Sequence, residues 1–258
     1  MPDLVYWVSG AISGGLVGFV LGLIGGGGSI LAVPLMVYVV GVSSPHVAIG
    51  TSALAVAANA FAGLVNHARA KTVKWKCGLV FAAAGMLGAL GGSTLGKSFD
   101  GQKLLFLFAL LMVVVGVLML RKSGRRSNAD VVLDRKNAPI LGMFGLGAGA
   151  VSGFFGIGGG FLILPGLIAA TRMPMINAVG TSLVAVSVFG ITTAANYALS
   201  GYVDWLLAGV FVTGGVLGSL VGTRLAKKLS STGALTKIFA GVIFVTAAYM
   251  VWQSWLAI

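Results

Sequence analysis

Glycines are the residues of this chain whose types and spacing point most directly to chemistry. Gly25, Gly26, Gly27 and Gly28 form one unbroken run, and Gly156 with Gly158, Gly159 and Gly160 form a second, interrupted by Ile157. Inside a helix each glycine costs about 1 kcal/mol relative to alanine. Both runs therefore predict breaks whose backbone groups must be satisfied by something other than regular helix. Each break opens a short apolar stretch that contains a proline, Pro34 or Pro165. Free amides there, backed by the positive end of a helix dipole, make an anion site. A second reading stands beside it: small residues let membrane helices approach closely.

Hydroxyls and amides recur around the glycines. Gly50-Thr51-Ser52 is repeated as Gly180-Thr181-Ser182, and Ser29 follows the first run directly. Such hydroxyls cap amides or donate to an oxyanion, or bond backwards onto their own helix. Asn66 and Asn196 close the same spans, as substrate ligands or as links between helices. His46 and His67 are of the type that carries protons near neutral pH. Arg172 either draws anions toward a vestibule or snorkels to the interface. The glycine runs, Ser29, the two triplets and the two asparagines are the candidate substrate-binding residues.

Enzyme chemistry finds little here. The only acids are Asp3, Asp100, Asp130, Asp134 and Asp204, and there is no glutamate, so paired carboxylates are not expected. Cys77 and two histidines cannot build a Cys/His zinc cluster. The glycine runs lack the Gly-Lys-Ser/Thr ending of a phosphate loop. Gly145-Leu146-Gly147-Ala148-Gly149 lacks the preceding strand that gives a dinucleotide fingerprint its mechanism. The expectation is no catalytic residue, no cofactor and no metal.

The elements that must position these residues are apolar. Of 258 residues 58% are hydrophobic and 9% charged, with a mean hydropathy of +1.04, against roughly 25% charged in a soluble domain. Crossing a hydrocarbon core takes about 20 helical residues. The apolar runs, uncharged but for Lys237 in the last, are 4–24, 29–42, 46–65, 78–96, 104–120, 139–157, 159–170, 176–199, 205–223 and 234–258. The second and the seventh are too short to span comfortably. The net charge of +12 sits in loops between these runs, the pattern of cytoplasmic loops and not of a nucleic-acid surface. Met-Pro-Asp carries no basic n-region, so the first run is expected to be a retained span and not a cleaved signal.

The chain also repeats itself. Gly22 to Pro34 aligns on Gly153 to Pro165 at an offset of 131, and an offset of 130 then pairs Asn66 with Asn196, Trp75 with Trp205 and Gly85, Gly88 and Gly92 with Gly215, Gly218 and Gly222. Two transmembrane repeats follow, 1–120 and 139–258, joined by the basic linker 121–138. The linker and the loop 66–76 are basic, whereas the loop 200–204, equivalent to the latter, holds one aspartate and no base. Positive-inside bias then makes the halves inverted, with both termini outside. Re-entrant short segments with parallel repeats are the alternative. The fold expected is an all-α polytopic membrane protein with glycine-broken short helices.

The doubled pattern of glycine run, proline and Gly-Thr-Ser resembles the TauE/SafE family of sulfite exporters over nearly the whole chain. The resemblance implies a permease of the cell membrane that moves small sulfur-containing anions such as sulfite or sulfoacetate, with the glycine runs and triplets matching the family's motifs. Ile157 and Phe161 make the second half-site unlike the first. Expected partners are the anion and the lipid bilayer, with no nucleic acid; the oligomeric state is not readable. Export by alternating access needs no coupling ion. Proton-coupled uptake, a channel and a non-transporting scaffold are the competing readings.

Overall fold

A computed structural model describes residues 4–121, 137–156, 160–229 and 234–256. All of the described regular structure is helical. Helix α1 is Leu4–Ile24, and the glycine run follows as a 3-10 segment, Gly25–Leu31. A short α turn, α2 (Ala32–Pro34), and a π turn, Leu35–Val40, complete that stretch. The long helices come next: α3 (Pro45–Arg69), α4 (Trp75–Lys97), α5 (Gly101–Arg121) and α6 (Ala138–Phe155). Beyond the second run lie α7 (Gly160–Thr171), α8 (Met175–Ala198), α9 (Trp205–Leu229) and α10 (Ala234–Leu256). Six stretches among the described residues are long and apolar enough to cross a membrane. The first of them is Leu4–Val40 taken as one unit.

The first glycine run interrupts the regular α-helix, and it does so as a wound 3-10 segment. Tight 3-10 turns give buried peptide groups partners along the chain where a glycine α-helix would be weak. Pro34 supplies no N–H, and the backbone widens into the π turn just after it, the usual response to a missing donor.

Large apolar side chains cover the outside of the bundle as well as filling its core, unlike in a soluble protein. Leu4, Ile12, Phe61, Leu79, Met143, Leu206, Leu217 and Trp252 face outward, while Ser13, Ser29, Thr51, Asn59, His67, Ser93, Thr181 and Ser182 are buried. An apolar exterior with hydroxyls and amides inside is what lipid as solvent demands. The chain is a multi-pass membrane protein.

Glycine registers give the helix directions. Along α1 and α9, Gly10 meets Leu207, Gly14 meets Phe211, Gly18 meets Gly215 and Gly22 meets Ser219, so the two run parallel. In α4 and α6 Phe81 meets Gly145, Gly85 meets Gly149 and Ala89 meets Gly153, also parallel. Gly50 against Tyr202 and Gly215 against Asn59 make α3 parallel to α9, and Gly78 against Thr181 with Gly85 against Phe189 make α4 parallel to α8. By contrast α3 and α8 are antiparallel, with Gly190 against Ala53 and Ala57 but Gly63 against Leu183. Hence α1, α3 and α9 point one way, and α4, α6 and α8 the other. Because α1 and α3 share a direction, residues 25–44 carry the chain back across the bundle.

Candidate functional site

The two glycine segments cross with backbone against backbone. A Cβ added at Gly26 would strike the Cα, C and O of Gly160, and one added at Gly160 would strike the same atoms of Gly26. Each segment is entered through a left-handed glycine that ends the preceding long helix, Gly25 at φ 65° and Gly156 at φ 67°. A side chain is disfavoured there by conformation alone, and space excludes it as well. A Cβ at Gly25 would lie 2.6 Å from the Val179 carbonyl oxygen and 2.7 Å from Ser182 Oγ, while one at Gly156 would enter the Ile49 side chain. Gly28 folds back against the backbone of Val20 and Leu21, and Gly27 lies buried between.

Two serine hydroxyls stitch the crossing. Ser29 Oγ donates to the Gly26 carbonyl at 2.9 Å and accepts from the Gly160 N–H at 3.2 Å. Ser182 Oγ accepts from the Gly26 N–H at 3.0 Å and donates to the Val179 carbonyl at 2.8 Å. Gly25 to Ser29, Gly160 and Ser182 are all buried. Four hydrogen-bond donors from both halves of the chain are therefore buried together at this crossing, each holding a protein acceptor.

The other candidates lie elsewhere. Thr51 Oγ1 accepts from the Asp204 N–H and Thr181 Oγ1 from the Lys74 N–H, both at 2.9 Å. These hydroxyls thus tie each triplet to the loop that precedes α9 or α4. Gly50 and Gly180 give room for the same loops, against Tyr202 and Thr72. Ser52 bonds back to the Ile49 carbonyl at 3.0 Å. Asn196 donates to Ser93 Oγ at 2.6 Å and Thr94 Oγ1 at 3.0 Å, and its Oδ1 accepts from Lys97 Nζ at 2.9 Å. It borders a groove of about 270 Å³ that includes Met86, Leu90 and Leu199. Asn66 is half-buried at the far end of α3, where its carbonyl takes the Ala70 N–H. Gly158 and Gly159, with most of the linker, lie outside the described residues. Arg172 is exposed at φ 57°, its N–H closing α7 on the Ile168 carbonyl.

The threonine contacts carry a prediction. Thr51→Val or Thr181→Val leaves a backbone N–H without its acceptor, at about 1–3 kcal/mol. Each is expected to lower the melting temperature in detergent, with the double variant near the sum because the sites are separate. Thr→Ser variants should keep the wild-type value. Equal melting temperatures for valine and wild type would remove these contacts from the account.

Asn59 was not singled out by its sequence context. Its side chain is fully buried against Gly215, with Nδ2 and Oδ1 both lacking partners among the described residues. Position 189, offset by 130, is Phe189, which stacks on Phe81 at 6.3 Å between centroids. A lone amide in the middle of an apolar helix was the available signal.

Broken helices crossing inside an apolar bundle fit the pattern of a membrane transporter. Residues 10–250 match the family model for the sulfite exporter TauE/SafE, and the chain belongs to that family. A probable membrane transporter protein of Xylella fastidiosa (strain 9a5c) is 52% identical over 94% of each chain. The probable membrane transporter protein YunE of Bacillus subtilis (strain 168) is 27% identical over 94% of this chain and 96% of its own. A third, MJ0441 of Methanocaldococcus jannaschii, is 25% identical over 83% and 86%. No solved structure matches.

Proposed function

We propose that the protein exports a small anion, sulfite or an organosulfonate such as sulfoacetate, by alternating access around the crossing of the two glycine segments. The observation that carries this reading is the burial there, side by side, of the Gly26 and Gly160 N–H groups with the Ser29 and Ser182 hydroxyls. An anion entering the crossing takes over donors that are now paired within the protein. No charge is left bare in either state, and the bound oxyanion replaces carbonyl and hydroxyl acceptors one for one. Backbone amides with serine hydroxyls suit the oxygens of a sulfur oxyanion.

Each helix of the first half runs opposite to its repeat counterpart, α1 to α6, α3 to α8 and α4 to α9, which supports inverted halves 1–120 and 139–258. With Arg69, Lys71, Lys74, Lys76 and Arg224 gathered at one end, that end is the cytoplasmic one. Both halves then present the same site to either side in turn. A potential negative inside drives an anion outward by about 2.3 kcal/mol per charge per 100 mV, so export proceeds without a coupling ion.

Vesicles containing the purified protein and loaded with sulfite, sulfoacetate or acetate test the proposal. Saturable efflux of a sulfur oxyanion, accelerated by an inside-negative potential and reduced at least tenfold in Ser29→Ala/Ser182→Ala, is expected. Efflux that ignores the potential would overturn the export mechanism. Equal rates for acetate and both sulfur anions would overturn the substrate class.

A further inference from the structure

His67 is buried at the basic end of α3, and the contacts it makes with Gly22 and Thr72 can be counted proton by proton. Ring atom Nε2 faces the Gly22 carbonyl at 3.2 Å. A carbonyl only accepts, so this bond needs a proton on Nε2. Nδ1 faces Thr72 Oγ1 at 2.9 Å, and the same hydroxyl lies 3.0 Å from the His67 backbone carbonyl. A Thr72 proton given to that carbonyl leaves Nδ1 to donate, and one given to Nδ1 leaves the carbonyl contact unmade. Three contacts thus require three protons, two of them on the ring. A neutral imidazole has one and leaves a contact unmade; the imidazolium makes all three.

We propose that His67 is a proton-binding site whose occupancy holds the basic end of the transporter closed. Gly22 lies three residues before Gly25, so the Nε2 bond anchors α1 just ahead of the break that enters the crossing. Thr72 in turn passes the tie to α8, its carbonyl accepting from Asn177 Nδ2 at 2.9 Å. One ring therefore joins α1, α3, the following loop and, through Thr72, α8. Loss of one proton removes a member of that set at the end where anions enter for export. The charged and titratable groups on the segments meeting here are Arg69 on α3, Lys71 and Lys74 in the loop, and Lys76 and Cys77 in the first turn of α4. Arg172 precedes α8, and Arg224, Lys227 and Lys228 lie on the last two turns of α9, whereas α1 brings none to this end. Position 197, offset by 130, is Tyr197, so the opposite end lacks this device.

The test needs no transported substrate, so it stands or falls apart from the export reading. Protein labelled with 15N-histidine is reconstituted in vesicles, His46→Gln removing the only other histidine ring. Between pH 5 and 8.5 the His67 ring is expected to pass from two protonated nitrogens to one. Over the same interval, amide hydrogen exchange in residues 67–76 should rise about fivefold beyond its intrinsic pH dependence, the factor one ordinary hydrogen bond supplies. In His67→Gln that extra rise should vanish. A ring that keeps one protonation state throughout, exchange that ignores the titration, or a rise that persists in His67→Gln would each overturn the proposal. Should His67→Gln fail to fold, Thr72→Val removes the hydroxyl that fixes Nδ1, and an unmoved ring titration in it would overturn the proposal equally.

Discussion

Gly160→Ala is expected to abolish transport with the protein still in the membrane, and Gly26→Ala to do the same. At Gly160 the added methyl overlaps the Cα and carbonyl of Gly26, and these are backbone atoms that cannot rotate away. Overpacking of this kind costs about 1–3 kcal/mol, which lowers the melting temperature without unfolding so large a bundle. The greater effect is positional. Pushing the segments apart breaks the Ser29 and Ser182 bonds to Gly160 and Gly26, and the four donors no longer lie together. Control substitutions exist at Gly142 and Gly241, where a Cβ meets nothing within 4 Å and alanine is the better helix former. Efflux and melting temperature of the four variants, measured together, separate the outcomes. Wild-type efflux by Gly160→Ala would mean that the crossing is only a packing contact.

How far the molecule was legible in its sequence depends on which contacts are local. Segment boundaries were read to within a few residues for most helices, because long uncharged runs in lipid have few alternatives to helix. The glycine breaks were read for the same reason, since nothing else accounts for four consecutive glycines in an apolar stretch. What remained hidden was the pairing between distant segments. Ser29, Thr51, Ser52, Thr181 and Ser182 are alike on paper, yet Ser29 and Ser182 meet at the crossing while Thr51 and Thr181 hold loops at opposite ends. Which hydroxyl faces which amide is fixed by the rotation of α3 and α8 against each other, and no local rule supplies that rotation. Asn196 illustrates the same limit. It recurs with Asn66 in sequence, but its amide is engaged by Ser93, Thr94 and Lys97. The tightness of the first glycine run was missed because burial rewards 3-10 turns that propensity alone disfavours.

Gly18→Leu and Gly149→Leu are expected to be the most damaging single changes in the chain, removing the protein from the membrane fraction altogether. Gly14, Gly18 and Gly22 on α1, and Gly145, Gly149 and Gly153 on α6, repeat every four residues and so share one face. Each lies against a backbone carbonyl of the parallel partner: Phe211, Gly215 and Ser219 on α9, then Phe81, Gly85 and Ala89 on α4. Lipid offers no hydrophobic drive to bring these helices together, so close packing must hold them. Carbonyl oxygens against glycine Cα atoms add weak C–H···O contacts along the whole seam. Leucine at the centre of either seam forces the axes apart, and the loss extends over every glycine in the row, beyond the ~1–3 kcal/mol of a local clash. The same seams set α1 parallel to α9 and α4 parallel to α6, so their failure costs topology as well as stability. Gly147→Leu tests the reasoning on the same helix, because Gly147 is exposed and its Cβ would meet nothing within 4 Å. Membrane abundance near wild type for Gly147→Leu and near zero for Gly149→Leu is the expected contrast. Equal abundance would mean that the glycine seams do not hold the bundle together.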